Sequence, residues 1–174
     1  EISSPYLEGI LDAREEKRLL LETVRGCRFQ CKFCYYPKSY DALYYLSSHE
    51  IEAQLRHAAE CEVDEVVLLD PTLNQRRDFA DFLRLLARHN AGRHFTYSAE
   101  LRAEGITAET GRLLGEANFS EVEVGLQSVD PRAQELMGRK VNLRAFERGV
   151  RSMLDAGIRV RTDLILGLPG DTAD

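Results

Sequence analysis

At 174 residues, with 44% hydrophobic and 30% charged side chains, the chain is long enough to bury one sizeable core and has the balance of an ordinary globular domain. A formal net charge of -6 weighs against a surface built to attract nucleic acid nonspecifically. No apolar run approaches the roughly 20 residues a membrane span needs, and the N-terminus, with Glu1, Glu8 and Asp12, lacks a basic region followed by an apolar signal segment, so a cytoplasmic protein is expected.

Residues 1–17, including Ser3-Ser4-Pro5-Tyr6-Leu7, carry a few apolar anchors without strand or helix period. They read as a lead-in from an upstream domain, with residues 18–174 as the domain proper. The first strand is expected at residues 19–24. Ser47 and Glu50 then make a capping box for a helix whose apolar face is Ile51, Leu55, Ala58 and Ala59. A second strand at 66–69 precedes a helix faced by Phe79, Phe82, Leu83 and Leu86. The third strand is expected at 95–101, and Thr107 can cap the helix through Leu113 and Leu114. After a fourth strand at 122–126, Asp130 and Pro131 open a short helix. Asn142 caps the last helix, faced by Leu143, Phe146, Val150, Met153 and Leu154, and Gly157 stops it before a fifth strand at 160–168.

Strands alternating with helices imply repeated βα units with right-handed crossovers and a parallel sheet. The expected fold class is α/β: a partial (β/α) TIM-like barrel with about five βα units present, the sixth missing and the C-terminal end truncated. Functional groups of such folds gather where the strands end. The residues at those ends are three cysteines after the first strand, Asp70, Pro71 and Thr72 after the second, Glu100 at the third, Gln127 and Ser128 at the fourth, and residues 163–170 around the fifth.

Cys27, Cys31 and Cys34 are separated by three and two residues in one short loop. Without export signals, such a cluster suggests metal or redox chemistry before disulfides. Three thiolates can hold three irons of a 4Fe-4S cube and leave the fourth iron open, and Arg28 and Lys32 would favour the thiolate forms. Structural zinc ordinarily needs a fourth ligand. Cys61 is expected at the opposite end of the sheet as a small buried hydrophobe, and His49 overlaps the capping box. Zinc and three unligated thiols stay open as alternatives.

With an aromatic residue, Phe33, before the third cysteine, the Cys-x-x-x-Cys-x-x-Cys pattern resembles the signature of the radical S-adenosylmethionine superfamily. The resemblance implies a 4Fe-4S cluster whose open iron is chelated by S-adenosylmethionine, and reductive cleavage of that molecule to a 5'-deoxyadenosyl radical. It makes Cys27, Cys31 and Cys34 the cluster ligands and catalytic residues. It implies contacts to S-adenosylmethionine from Phe33, from the Asp70-Pro71-Thr72 turn, from Glu100, Gln127 and Ser128, from Arg139 as a carboxylate fork, and from Asp163, Leu166 and Gly167 along the adenine. The Asp-Pro-Thr turn stands where the family usually has a Gly-Gly-Glu-like turn, and a plain helix-capping turn is the other reading of it.

That turn, together with Ser4-Pro5-Tyr6-Leu7 and Phe33-Cys34-Tyr35-Tyr36-Pro37, is most similar to the branch that carries a cobalamin-binding domain. Cobalamin-dependent methyl transfer is what that branch implies. The Gly-Leu-Gln-Ser and Gly-Leu-Pro-Gly pieces are equally at home in oxidative decarboxylases of porphyrin synthesis and in methylthiotransferases. A non-catalytic iron-sulfur or zinc module is the alternative of another class, but an electron carrier would normally use four protein ligands. Expected partners are a small-molecule or peptide substrate and an electron donor such as flavodoxin or ferredoxin, with no membrane; nucleic acid is disfavoured without being excluded.

Overall fold

In the computed structural model, which describes residues 3–171, each of the five expected strands forms. In chain order the elements are α1 (Ala13–Glu16), β1 (Arg18–Leu21), β2 (Val24–Arg25), β3 (Tyr44–Tyr45), α2 (Ser48–Glu60), β4 (Glu65–Leu68), α3 (Phe79–His89), β5 (Thr96–Leu101), α4 (Ala108–Glu116), β6 (Phe119–Gln127), α5 (Pro131–Leu136), α6 (Leu143–Asp155) and β7 (Arg159–Leu164). Single 3-10 turns lie at Tyr36–Ser39, Leu73–Gln75 and Ala103–Gly105. The sheet is parallel throughout, in the order β1-β4-β5-β6-β7. Each strand therefore lies beside the previous strand of the sheet, and right-handed crossovers place the intervening helices on one face.

Side-chain alternation along the strands agrees with that layering. Leu19, Leu21, Val66, Leu68, Tyr97, Ala99, Leu101, Val122 and Val124 are buried in one core with Ile51, Leu55, Phe82, Leu83, Leu86, Leu114 and Met153. The residues between them, such as Leu20, Glu100 and Glu123, point to the opposite, more open face. The expected caps form: the Ser47–Glu50 box on α2, Thr107 on α4, Asp130 on α5 and Asn142 on α6. Tyr6 is buried, and its hydroxyl accepts the Leu20 N–H at 3.2 Å on the edge strand β1. Among the described residues no helix is long and apolar enough to cross a membrane.

Two strands are shorter than their apolar runs. β1 stops at Leu21, because the N–H groups of Thr23 and Val24 turn to the Asp70 carboxylate, and Val24–Arg25 then pairs antiparallel with Tyr44–Tyr45 as a separate ladder. β7 stops at Leu164, so Leu166 and Gly167 lie beyond the sheet.

Candidate functional site

The cysteine loop leaves the C-terminal end of β1 and is fastened on three sides. The first fastening is Asp70, 1% exposed, whose carboxylate accepts from Thr23 Oγ1 at 2.9 Å, from the Thr23 N–H at 3.2 Å and from the Val24 N–H. Arg76 donates to the same Thr23 hydroxyl at 3.1 Å. The second is Gln75, which hydrogen-bonds the carbonyl of Gly26 and the N–H of Arg28. The third is the far side of the loop, where the Lys32 N–H donates to the Met137 carbonyl at 2.8 Å, at the end of α5. Tyr36 closes the loop on itself, its hydroxyl donating to Glu22 at 3.1 Å and accepting the Gly26 N–H at 3.4 Å.

Burial pushes the Asp70 carboxyl up to about 6, against the hydrogen bonds from Thr23 and Val24 and the charge of Arg76, which pull it down. The folded protein therefore holds this proton more tightly than the unfolded chain, whose aspartates titrate near 3.9. The stabilisation is fully present below about pH 4 and is lost as the pH rises through about 6, a change of about 3 kcal/mol. The stability difference between the unaltered protein and Asp70→Asn, read from urea midpoints, should fall by about that amount between about pH 4 and about pH 7. A difference that stays flat over this range contradicts the assignment.

Cys31 is buried, while Cys27 and Cys34 are half-buried. Burial raises the Cys27 thiol, outweighing hydrogen bonds from the Phe29 backbone and the Thr72 side chain, and the neighbouring Cys31 and Cys34 raise it further. The support expected from Arg28 and Lys32 is not what sets this thiol; Arg28 instead lies over the Phe29 ring, 5.8 Å from its centroid. Among the described residues no three Cys, His, Asp or Glu groups converge closely enough to hold a metal ion. A tetrahedral zinc centre would draw its thiolates to about 3.8 Å from one another, given Zn–S bonds of about 2.3 Å. A four-iron cube takes each thiolate on a different iron, so three cysteines in one loop match its donor count with one iron left over. Cys61, 2% exposed, caps α2 beside His57 at 3.4 Å, ahead of β4, whereas the loop's anchors Asp70 and Gln75 follow that strand.

The other strand ends divide into groups that face a site and groups that fasten the fold. At the end of β6, Gln127 takes a left-handed φ of 70° and its amide lies over Gly125, where Arg139 also donates to the Gly125 carbonyl. Gln127 Oε1 and Arg139 Nε are buried without a partner among the described residues, so this corner keeps unspent polar capacity for a ligand. Glu100 and Asp163 come together with Glu123 on the open face of the sheet. Burial and then the Asp163 charge raise the Glu100 carboxyl; Glu123 is raised first by its hydrogen bond to Asp163.

Ser128 is occupied: its hydroxyl donates to Asp171 at 2.8 Å and accepts the Asp130 N–H at 3.1 Å. Asp70 is likewise committed to Thr23 and Val24, so both carboxylate and hydroxyl act here as ties between loops. Thr72 is buried, its hydroxyl donating to the Pro71 carbonyl at 2.5 Å. It caps no helix, since the turn after it lacks a side-chain cap. Phe33 and Tyr35 are exposed, and Leu166, 93% exposed, and Gly167 stand open beyond β7. Gln75 and the Arg102–Phe29 contact, with the guanidinium 4.1 Å from the ring centroid, were not legible in the sequence. Gln75 stands three residues after the Asp-Pro-Thr turn, with nothing local to mark it. Beside the loop, a cleft of about 790 Å³ runs between Tyr6, Leu20, Glu22, Tyr40, Tyr44 and Tyr45, within the size range of small-molecule sites.

Comparison with known proteins shows the family and the fold. The family model of the Radical SAM superfamily matches residues 21–174. The hopanoid C-2 methylase of Rhodopseudomonas palustris is 30% identical over 156 residues, covering 86% of this chain and 30% of the relative. The tRNA-2-methylthio-N(6)-dimethylallyladenosine synthase of Sorangium cellulosum is 26% identical over 205 residues, covering 99% of this chain and 39% of the relative. Among solved structures, the radical S-adenosylmethionine methyltransferase TsrM from Kitasatospora setae, with tryptophan substrate and a SAM analog bound, superposes with a TM-score of 0.83 at 18% identity. It covers 92% of this chain and 32% of that one. That likeness shows a shared fold, a partial TIM-like barrel. The chain spans between 30% and 40% of the length of the first curated relatives it matches.

Proposed function

Because this chain belongs to the radical S-adenosylmethionine superfamily, we propose that it is the core of an enzyme that binds a 4Fe-4S cluster through Cys27, Cys31 and Cys34 and cleaves S-adenosylmethionine reductively. The observation that carries the reading is the fastened loop, which presents three thiols at the C-terminal end of a parallel sheet. When bound, the reduced cluster supplies the single electron for that cleavage.

The chain's own residues hold and orient. Arg139, whose Nε is unpaired, offers guanidinium donors for the methionyl carboxylate, a job suited to a planar fork, while the unpaired Gln127 Oε1 can accept from an ammonium or hydroxyl group. Glu100 and Asp163 face the open side of the sheet, where they accept from ammonium or ribose hydroxyl groups. Phe33 and the Leu166-Gly167 segment flank the adenine. Pro71 contributes no N–H, so the turn that replaces Gly-Gly-Glu offers carbonyl oxygen only at that residue. Ser128 and Asp70 belong to the supporting fold rather than to the ligand.

The substrate reading follows the relatives: methyl transfer with cobalamin, as in the branch to which TsrM belongs, on a small molecule or peptide, with a flavodoxin- or ferredoxin-type electron donor. Methylthio transfer is the second reading, favoured by the match across 99% of this chain to the Sorangium synthase. The test is anaerobic reconstitution of the full-length protein with iron and sulfide, followed by dithionite and S-adenosylmethionine. Chromatography should recover 5'-deoxyadenosine; S-adenosylmethionine returned intact by protein that carries four irons would sink the proposal.

A further inference from the structure

The turn at Leu73–Gln75 ends in two adjacent amides that hold two different parts of the site. Asn74 grips the end of β5: its Nδ2 donates to the Arg102 carbonyl at 2.8 Å and its Oδ1 accepts the Arg102 N–H at 2.9 Å. Gln75, 2% exposed, reaches into the cysteine loop. Its Nε2 donates to the Gly26 carbonyl at 3.0 Å and its Oε1 accepts the Arg28 N–H at 2.9 Å. Gly26 and Arg28 are the chain neighbours of Cys27 on either side. A primary amide has one donor end and one acceptor end, and here both are spent on the peptide groups that bracket a single cysteine.

That cysteine lies in a stretch without helix or strand, where no backbone ladder offsets the entropy lost in holding one conformation. We propose that Gln75 is a positioning residue for the iron-sulfur centre: its amide fixes the backbone on both sides of Cys27 before metal arrives, and so sets where that thiolate meets its iron. The inference rests on the reading of Cys27, Cys31 and Cys34 as cluster ligands. Through Asn74, the same turn also fixes the distance from Cys27 to the end of β5, where Glu100 stands.

The experiment compares the full-length protein with its Gln75→Leu and Gln75→Glu variants, each reconstituted anaerobically. Leucine keeps the volume and makes neither bond, while glutamate keeps the acceptor that faces Arg28. Cluster retention against a chelator should fall roughly 10–100-fold in Gln75→Leu, as it does when groups that orient metal ligands are removed. The electron paramagnetic resonance signal of the reduced cluster should shift, and Gln75→Glu should fall between the two. Thermal unfolding of the metal-free forms is followed in parallel. A four-iron cluster that forms in the unaltered protein but is retained equally, with the same spectrum, in Gln75→Leu overturns the proposal alone. Loss of the metal-free fold in both variants overturns it too, because the amide then serves the fold at large. Failure of the unaltered protein to assemble four irons overturns the ligand reading and the proposal with it.

Discussion

Cys27→Ala, Cys31→Ala and Cys34→Ala should each abolish the four-iron cluster, while Cys61→Ala leaves the iron content of the reconstituted protein unchanged. The asymmetry comes from placement. The first three thiols share one loop fastened by Asp70, Gln75 and the end of α5, and a cube already short of one protein ligand has no spare thiolate to lose. Cys61 instead caps α2 beside His57 and packs in the main core, so its removal costs packing and touches no iron. Iron and sulfide analysis after gel filtration reads the result. Iron retained by Cys27→Ala and lost by Cys61→Ala would reverse the ligand assignment.

The second large effect is at Gly26. Its φ is 98°, a conformation that L side chains rarely adopt, and a Cβ there would sit inside contact distance of the Ala42 carbonyl oxygen. Gly26→Ala thus combines left-handed strain of roughly 1–2 kcal/mol with overpacking of typically 1–3 kcal/mol. We expect a loss of about 2–5 kcal/mol in stability, seen as a lower urea midpoint at unchanged slope, together with weakened cluster retention. The coupling arises because the Gly26 carbonyl is the group Gln75 holds and its N–H is the one the Tyr36 hydroxyl accepts. A midpoint shift within about 0.5 kcal/mol of zero would show that this backbone yields where the geometry says it cannot.

The βα framework was legible because it is written in local, periodic signals. Apolar runs marked all five sheet strands, and Ser47, Thr107, Asp130 and Asn142 each cap the helix expected of them. Spacing alone likewise revealed the cysteine loop. What escaped depends on contacts made across the chain. Gln75 reaches back 47 and 49 residues to Arg28 and Gly26, and no pattern in its neighbourhood distinguishes it from a solvated glutamine.

Polar residues at strand ends were the harder class. Asp70 and Ser128 have the same placement as Glu100 and Gln127, yet the first two spend their oxygens on Thr23, Val24, Asp130 and Asp171. Gln127 keeps an unpaired oxygen. Whether a polar group binds a ligand or ties two loops is decided by what stands opposite it. The early end of β1 has the same origin: residues 22–24 look like continued strand until a buried carboxylate 46 residues onward claims the Val24 N–H.

The central claim is that three cysteines hold a cluster with one iron left open for S-adenosylmethionine. It is tested most directly by electron paramagnetic resonance of the reduced, reconstituted full-length protein with and without S-adenosylmethionine. An open iron that takes the amino and carboxylate groups of S-adenosylmethionine changes its ligand field, so the signal should shift on addition, and Arg139→Ala should weaken that response. A reduced four-iron signal that is identical in both samples would contradict the account.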